Sequence, residues 1–285
     1  MMKKLLAMTA ALLLTLGLAA CAGKASNDIV VVSREDGSGT RGAFIELFGV
    51  QQKDENGEKI DHTTLDAEFV NGTSVVIETV ASNEDAIGYI SLGSLNDTVK
   101  ALQIDGADAT VENIKSGEYK IARPFNIATQ PEISEAAQAF IDFILSAEGQ
   151  AVIEDNHYIS SVDNPQPYAG GSLAGKVVVA GSSSVTPVME KLKEAYAAFN
   201  PEADIEIQLS DSSTGVNMAI DGSCDIGMAS RELKDSELEK GVTPTVIALD
   251  GIAIVVNNNN ALGGLTTDQV RAVYMGEITD WSELQ

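Results

Sequence analysis

Hydrophobic residues in this chain fall into short runs separated by polar, glycine-rich breaks, and their spacing changes from run to run. Ile29-Val30-Val31-Val32 is a continuous apolar run of the kind buried in a parallel strand. A Gly/Ser/Thr loop follows, and over 41–48 the apolar residues return at helical spacing. Residues 54–61 are charged, include a glycine, and read as a surface loop. Val75 to Val80 fits a strand or a helix, because periodicity does not decide so short a run. Ala86-Ile87-Gly88-Tyr89-Ile90 and 99–104 read as strands and 111–116 as a helical turn. After Pro131, the residues Ile133, Ala137, Phe140, Ile141, Ile144 and Leu145 share one helical face; 146–149 interrupt it, and a second helical stretch begins at Gln150.

The pattern then breaks and restarts. Residues 161–175 hold Asp163, Asn164, Pro165, Pro167, Gly170, Gly171 and Gly175, the best linker in the chain. Beyond it come a strand over 176–180, a small-residue loop over 181–186, and a helix over 188–199 with Pro187 at a first-turn position that does not need its N–H. A strand over 205–209, a loop over 210–215 and a helix through Ile220 follow. Val246 to Val256 is a long apolar strand, and 266–274 a helix capped by Thr266 or Thr267. Strands alternating with helices predict an α/β fold.

The first twenty residues depart from this pattern. Lys3 and Lys4 precede an apolar run from Leu5 to Leu18 and then small residues, the layout of an export signal and too short to span a bilayer comfortably. Leu18-Ala19-Ala20-Cys21 resembles a bacterial lipobox, which implies removal of 1–20 and a lipid on Cys21, with 21–27 as a tether to the membrane. The mature protein is then extracytoplasmic and lipid-anchored. Cys224, left without an intramolecular partner, is expected to pack as a small hydrophobe.

The formal charge of −24, lowered by two more units when the leader lysines go, repels nucleic acid and anionic membrane. It does not exclude an anionic ligand, since a buried site is governed by nearby donors. Roughly 260 mature residues are enough for one large or two moderate domains.

Three loops share one design, in which a hydrophobic strand leads into a Gly/Ser/Thr cluster and then a helix: 33–40, 181–186 and 211–215. Each aims N–H donors, a helix-end partial charge and hydroxyls at one place. A single cluster of this kind is commonly only a cap and turn; three together point to an oxyanion. In the first loop Arg34 offers a planar fork of donors, and Ser38, Gly39 and Thr40 offer backbone and hydroxyl groups. Asp36 is either a turn residue or a carboxylate acceptor, which would select a ligand that still carries a proton and repel sulfate.

Ser-Arg-Glu-Asp-Gly-Ser-Gly-Thr-Arg at 33–41, Gly-Ser-Ser-Ser-Val-Thr-Pro at 181–187, Asp-Ile-Gly-Met-Ala-Ser-Arg at 225–231 and Ala-Ile-Gly-Tyr-Ile-Ser-Leu-Gly-Ser-Leu at 86–95 together resemble the phosphate-binding proteins of ABC phosphate importers, the PstS family. The resemblance covers almost all of the mature chain. It implies a two-lobed, periplasmic-binding-protein-like α/β fold of the type II class that closes on inorganic phosphate, and ABC permease subunits as partners. It places phosphate contacts at Arg34, Asp36, Ser38, Gly39, Thr40, Ser184, Val185, Thr186 and Ser213, with Ser230 where some members have an aspartate. In the family the 181–187 motif comes shortly after the signal and the Arg34-type loop follows a segment resembling 276–281; here the order is reversed, so the chain resembles a circular permutation with 161–175 joining the old ends. One lobe is then 28–122 plus 250–285 and the other 123–249.

An enzyme is the first rival. Gly37-Ser38-Gly39-Thr40-Arg41 lacks the Gly-Lys-Ser/Thr ending of a nucleotide P-loop, and Ser38 has no base in a nucleophile motif. His62 and His157, the only histidines, have no metal-ligand spacing and read as surface residues. The expectation is a binding protein without cofactor, monomeric. Other oxyanions, an organic phosphate, or a rearranged chain that needs a partner remain the alternatives.

Overall fold

A computed structural model of the chain describes residues 27–170 and 173–284; the expected signal segment, Cys21 with its expected lipid, and all of the expected tether but Asn27 lie outside the described residues. The elements run β1 (Val30–Arg34), α1 (Gly39–Leu47), β2 (Gln51–Lys53), β3 (Lys59–Asp61), β4 (Glu68–Val70), α2 (Thr73–Ser82), β5 (Ala86–Ser91), β6 (Val99–Ala101), β7 (Gln103–Ile104), α3 (Val111–Ser116) and β8 (Ala122–Thr129). They continue with α4 (Glu135–Ile144), α5 (Ala147–Asp155), β9 (Ile159–Ser160), β10 (Gly175–Ser182), α6 (Thr186–Tyr196), β11 (Ala203–Ser210), α7 (Ser212–Asp221), β12 (Ile226–Ala229), α8 (Asp235–Leu238), β13 (Thr243–Asn257), β14 (Gly264–Leu265) and α9 (Thr267–Tyr274).

The main sheet has the order β11-β10-β12-β8-β13-β5-β1-β4, with β6 and β9 also paired to β13. Strands at the two ends are parallel: β1 with β4 and β5, and β10 with β11 and β12. Between them lie antiparallel pairings centred on β13, whose residues 243–251 pair with β8 and whose residues 252–256 pair with β5. One strand thus belongs to both halves. The apolar residues divide at the same place: one core gathers Val31 to Ile121 with Ile252 to Leu284, and the others gather residues from Phe125 to Ala248.

Where β13 passes between the cores, Arg123 and Asp250 face each other in register and form an ion pair at 3.1 Å with both side chains almost fully buried. Asp250 also accepts from the Ser91 hydroxyl at 2.9 Å. Burial nevertheless pushes its carboxyl up to about 6 against the pull of Arg123, and lowers Arg123.

Several local expectations change. Residues 54–61 are not a plain loop: the Asp54 carboxylate accepts the backbone N–H groups of Asn56 and Glu58, making a turn that lets β2 and β3 pair. The ambiguous run at 75–80 is helix, with Val76 and Val80 buried one turn apart. β8 escapes the pattern because Arg123 and Pro124 break its apolar run. The interruption expected at 146–149 shrinks, since Ser146 caps α5 and Gly149 lies inside it, where a Cβ would stand 2.1 Å from the Phe143 carbonyl. The linker is packed down at 166–168: Gln166 C=O accepts from Ala147 N–H, and the Tyr168 ring meets Phe143, Tyr196 and Phe199. Cys224 is buried beside Ala180, Val216 and Ala219, where burial raises its thiol to about 12. Both histidines are exposed.

The helix α7 lies close on β10 and β12 through three glycines. A Cβ on Gly215 would fall 2.5 Å from the Ala180 carbonyl oxygen and from Gly181 Cα, and one on Gly227 would fall 2.5 Å from the Gly215 oxygen. Gly215→Ala is expected to lower stability by about 1–3 kcal/mol, read from denaturant unfolding. A second expectation concerns pH. The folded Asp250 holds its proton up to about 6, above the ordinary 3.8, so its stabilising contribution is complete below about 3.8 and is lost as pH rises through about 6. The melting temperature of the wild type relative to Asp250→Asn therefore climbs as pH is lowered from about 7 to about 5; a difference independent of pH contradicts this.

Candidate functional site

Five loops from the two ends of the sheet meet at one place. The first leaves β1, buried between β4 and β5, and carries Arg34 at the end of the strand. Arg34 is 1% exposed. Its backbone N–H donates to the Tyr89 hydroxyl at 3.1 Å, and Tyr89 is stacked on Phe44 at 4.0 Å between ring centroids. Burial holds the Tyr89 phenol at about 12, so it remains a neutral support. The guanidinium donates through Nε and Nη2 to both Glu35 oxygens at 2.7 Å, through Nη1 to Thr73 Oγ1 at 3.3 Å, and through Nη2 to Ser183 Oγ at 3.0 Å. Those bonds use four of its five N–H groups and leave one for a further acceptor.

The turn then reaches Ser38, the cap of α1, whose Oγ accepts from Arg41 N–H. The first-turn N–H groups of Gly39 and Thr40 have no carbonyl in their own helix to bond. A Cβ on Gly39 would stand 2.3 Å from Ser212 Oγ and 2.7 Å from Ser230 Oγ, so only glycine lets the two halves approach here. The Thr40 and Ser184 hydroxyls are 2.8 Å apart, and Ser184 is also 3.1 Å from Thr73 Oγ1.

On the facing side Ser182, at the end of β10, bonds Ser230 through their hydroxyls at 3.0 Å, and the Ser230 N–H donates to Ser212 Oγ at 3.1 Å. Ser182, Ser184, Ser212 and Ser230 are all buried. The site is therefore lined by hydroxyls and helix-start N–H groups around one guanidinium, an arrangement that can surround an oxyanion with donors.

Of the residues expected from sequence, Arg34, Ser38, Gly39, Thr40, Ser184 and Ser230 are gathered here. Asp36 is not. Its side chain is 99% exposed and accepts from Arg41 at 2.5 Å, and Arg41 is shared with Asp61 and lies over the Phe69 ring. A carboxylate with its own cation in water gains nothing by turning inward. Val185 N–H and the Thr186 hydroxyl both donate to Ser182 C=O, so these two groups close the turn. Ser213 bonds Gly37 C=O through its N–H and Arg231 through its hydroxyl, outside the cluster; its neighbour Ser212 takes the inward position. Arg231 is itself chelated by Glu237, whose carboxyl, raised by burial, is drawn below its ordinary value by bonds from Arg231 and the Lys234 N–H.

Sequence reasoning missed Thr73, Ser182, Ser183 and Ser212. The serines sit inside or beside clusters already visible. Thr73 opens α2 directly after Asn71-Gly72, a fourth loop of the same strand-cluster-helix design, hidden because the pattern of the run after it fits strand and helix alike.

Comparison with known proteins places this geometry. The model of the PBP superfamily domain matches residues 18–148 and 166–285. Phosphate-binding protein PstS 2 of Streptococcus agalactiae is 58% identical over 272 residues, covering 94% of this chain and 92% of that protein. Phosphate-binding protein PstS 2 of Streptococcus pneumoniae is 44% identical over 290 residues and 99% of both chains. Aligned from end to end, these relatives carry their halves in the same order as this chain. A crystal structure of a phosphate ABC transporter phosphate-binding protein from Streptococcus pneumoniae superposes with a TM-score of 0.71 at 45% identity, over 90% of this chain and 100% of that one. With its two cores on one shared strand and its converging loops, the chain has the two-lobed solute-binding fold and belongs to the PBP superfamily and to its PstS phosphate-binding proteins.

Proposed function

We propose that the chain captures inorganic phosphate outside the cell and delivers it to the permease of an ABC importer, held at the membrane by lipid on Cys21. The observation that carries this reading is the meeting of Arg34, Thr40 and Thr73, from loops packed on one core, with Ser183 and Ser184, from a loop packed on the other. Phosphate held among these groups would tie 28–122 plus 250–285 to 123–249, the two lobes expected to close on it. The printed names of the relatives support phosphate as the ligand.

The anion contacts in this reading are Arg34, Ser38, Gly39, Thr40, Ser184, Ser212 and Ser230, with Val185 and Thr186 closing the turn behind them. Asp36 holds Arg41 instead. The role of proton acceptor passes to Ser182, Ser212 and Ser230, whose hydroxyls accept as well as donate. That substitution favours a second reading, a site for tetrahedral oxyanions in general, because hydroxyls discriminate phosphate from sulfate less sharply than a carboxylate does.

The swapped order relative to other family members belongs to the same proposal. Its support is the seam between 27–29 and 279–281: Ile29 N–H donates to Thr279 C=O at 2.7 Å, and Trp281 N–H donates to Asn27 C=O at 2.9 Å. Segments so paired can be joined or cut with little change in the fold.

Calorimetric titration of a soluble form lacking Cys21 is expected to show one phosphate bound per monomeric chain, with sulfate weaker. Sulfate binding as tight as phosphate selects the second reading, and no phosphate binding sinks the first. Gly39→Ala is expected to weaken phosphate at least about tenfold with little loss of melting temperature, since the added methyl blocks the approach of Ser212 and Ser230 without touching either core.

A further inference from the structure

We propose that Thr73 is a positioning residue of the anion site, relaying the orientation set by Arg34 across to Ser184. The inference rests on the reading of this cluster as a phosphate site. Thr73 opens α2, a ten-residue helix whose cap position is Gly72, with a φ of 89° and no side-chain cap. Its side chain therefore has no capping duty to its own helix from the preceding residue, and Oγ1 is turned into the cluster instead: 3.3 Å from Arg34 Nη1, 3.3 Å from Ser183 Oγ and 3.1 Å from Ser184 Oγ. The residue is 5% exposed, and with Ser183 it lines a groove of about 370 Å³ that opens beside them.

Proton counting sets the Arg34 end of the relay. A guanidinium only donates, so Nη1 occupies a lone pair of Thr73 Oγ1 and Nη2 occupies a lone pair of Ser183 Oγ. Thr73 has one hydroxyl proton, which with Arg34 donating to it points away from Arg34; Ser183 and Ser184 can each accept it, and the relay assigns it to Ser184, the nearer at 3.1 Å. Ser184 Oγ is then an acceptor for Thr73, and its own proton is directed to Thr40 or to whatever oxygen lies between the lobes. A positive charge at one end of the chain orders the dipoles along it and strengthens each bond. Through Thr73, a cation packed on one core determines that a serine packed on the other presents hydrogen to an anion. It also adds a bond between the lobes, formed only when they are together.

The test compares Thr73→Val, which keeps the shape and removes the hydroxyl, with Thr73→Ser, which restores it, both in the soluble form lacking Cys21. Phosphate affinity is measured by calorimetry and release by stopped-flow. Thr73→Val is expected to bind phosphate about tenfold more weakly, through faster release with association little changed, whereas Thr73→Ser binds within about twofold of wild type. Thr73→Ala, with no added bulk, serves in place of the valine variant if that one does not fold. The inference is overturned if removal of the hydroxyl leaves affinity unchanged, or if Thr73→Ser is as weak as Thr73→Val. Absence of phosphate binding by the wild type would instead refute the phosphate reading itself.

Discussion

β13 is the constraint on which the rest of the structure depends, because it runs for fifteen residues and pairs with β8 in one half of the sheet and with β5 in the other. Both cores take their position from it. The Arg123–Asp250 pair is buried at its changeover, where each charge compensates the other and neither reaches water. Breaking one member of such a pair leaves an uncompensated charge in a low-dielectric interior, so the register there is strongly specified. That register in turn decides which strand ends face each other.

Parallel strands lie on both sides of this antiparallel centre, and the helices that follow β1, β4, β10 and β11 begin at the carboxyl ends of those strands. Open α/β sheets bind ligands at such ends, beside a change in strand order. The four helix starts bring N–H groups and hydroxyls together, and Arg34 adds the one charge that no single helix end supplies. This is why a strongly acidic chain can hold an anion: the surface charge is dispersed in water, while the buried guanidinium and the helix starts act at contact distance. Glu35 takes two of the five Arg34 N–H groups and leaves three for the cluster.

Much of this was legible in the sequence, and the limits have definite causes. The alternation of strands and helices, the loops at 33–40, 181–186 and 211–215, and Arg34 are written in local composition, because propensity, capping and hydrogen-bonding capacity are properties of a few neighbouring residues. The family motifs extended that reading to phosphate and to two lobes. Short apolar runs failed as evidence where helix and strand share a pattern, which hid α2 and with it Thr73. Pro124 hid β8, since a proline counts against a strand until its position in the ladder is known.

Side-chain direction was beyond the sequence throughout. Asp36 turns outward to Arg41, which it shares with Asp61, and Ser213 lies one residue from the inward position because Arg231 and Gly37 claim it, leaving Ser212 to face Gly39. The sequence by itself determined the donor groups this protein possesses and the class of fold that presents them. Tertiary structure alone decided which donors meet, because the meetings join residues of different loops, from 18 to 149 positions apart, and the energy that selects among equivalent hydroxyls comes from partners that only the packed sheet brings within reach.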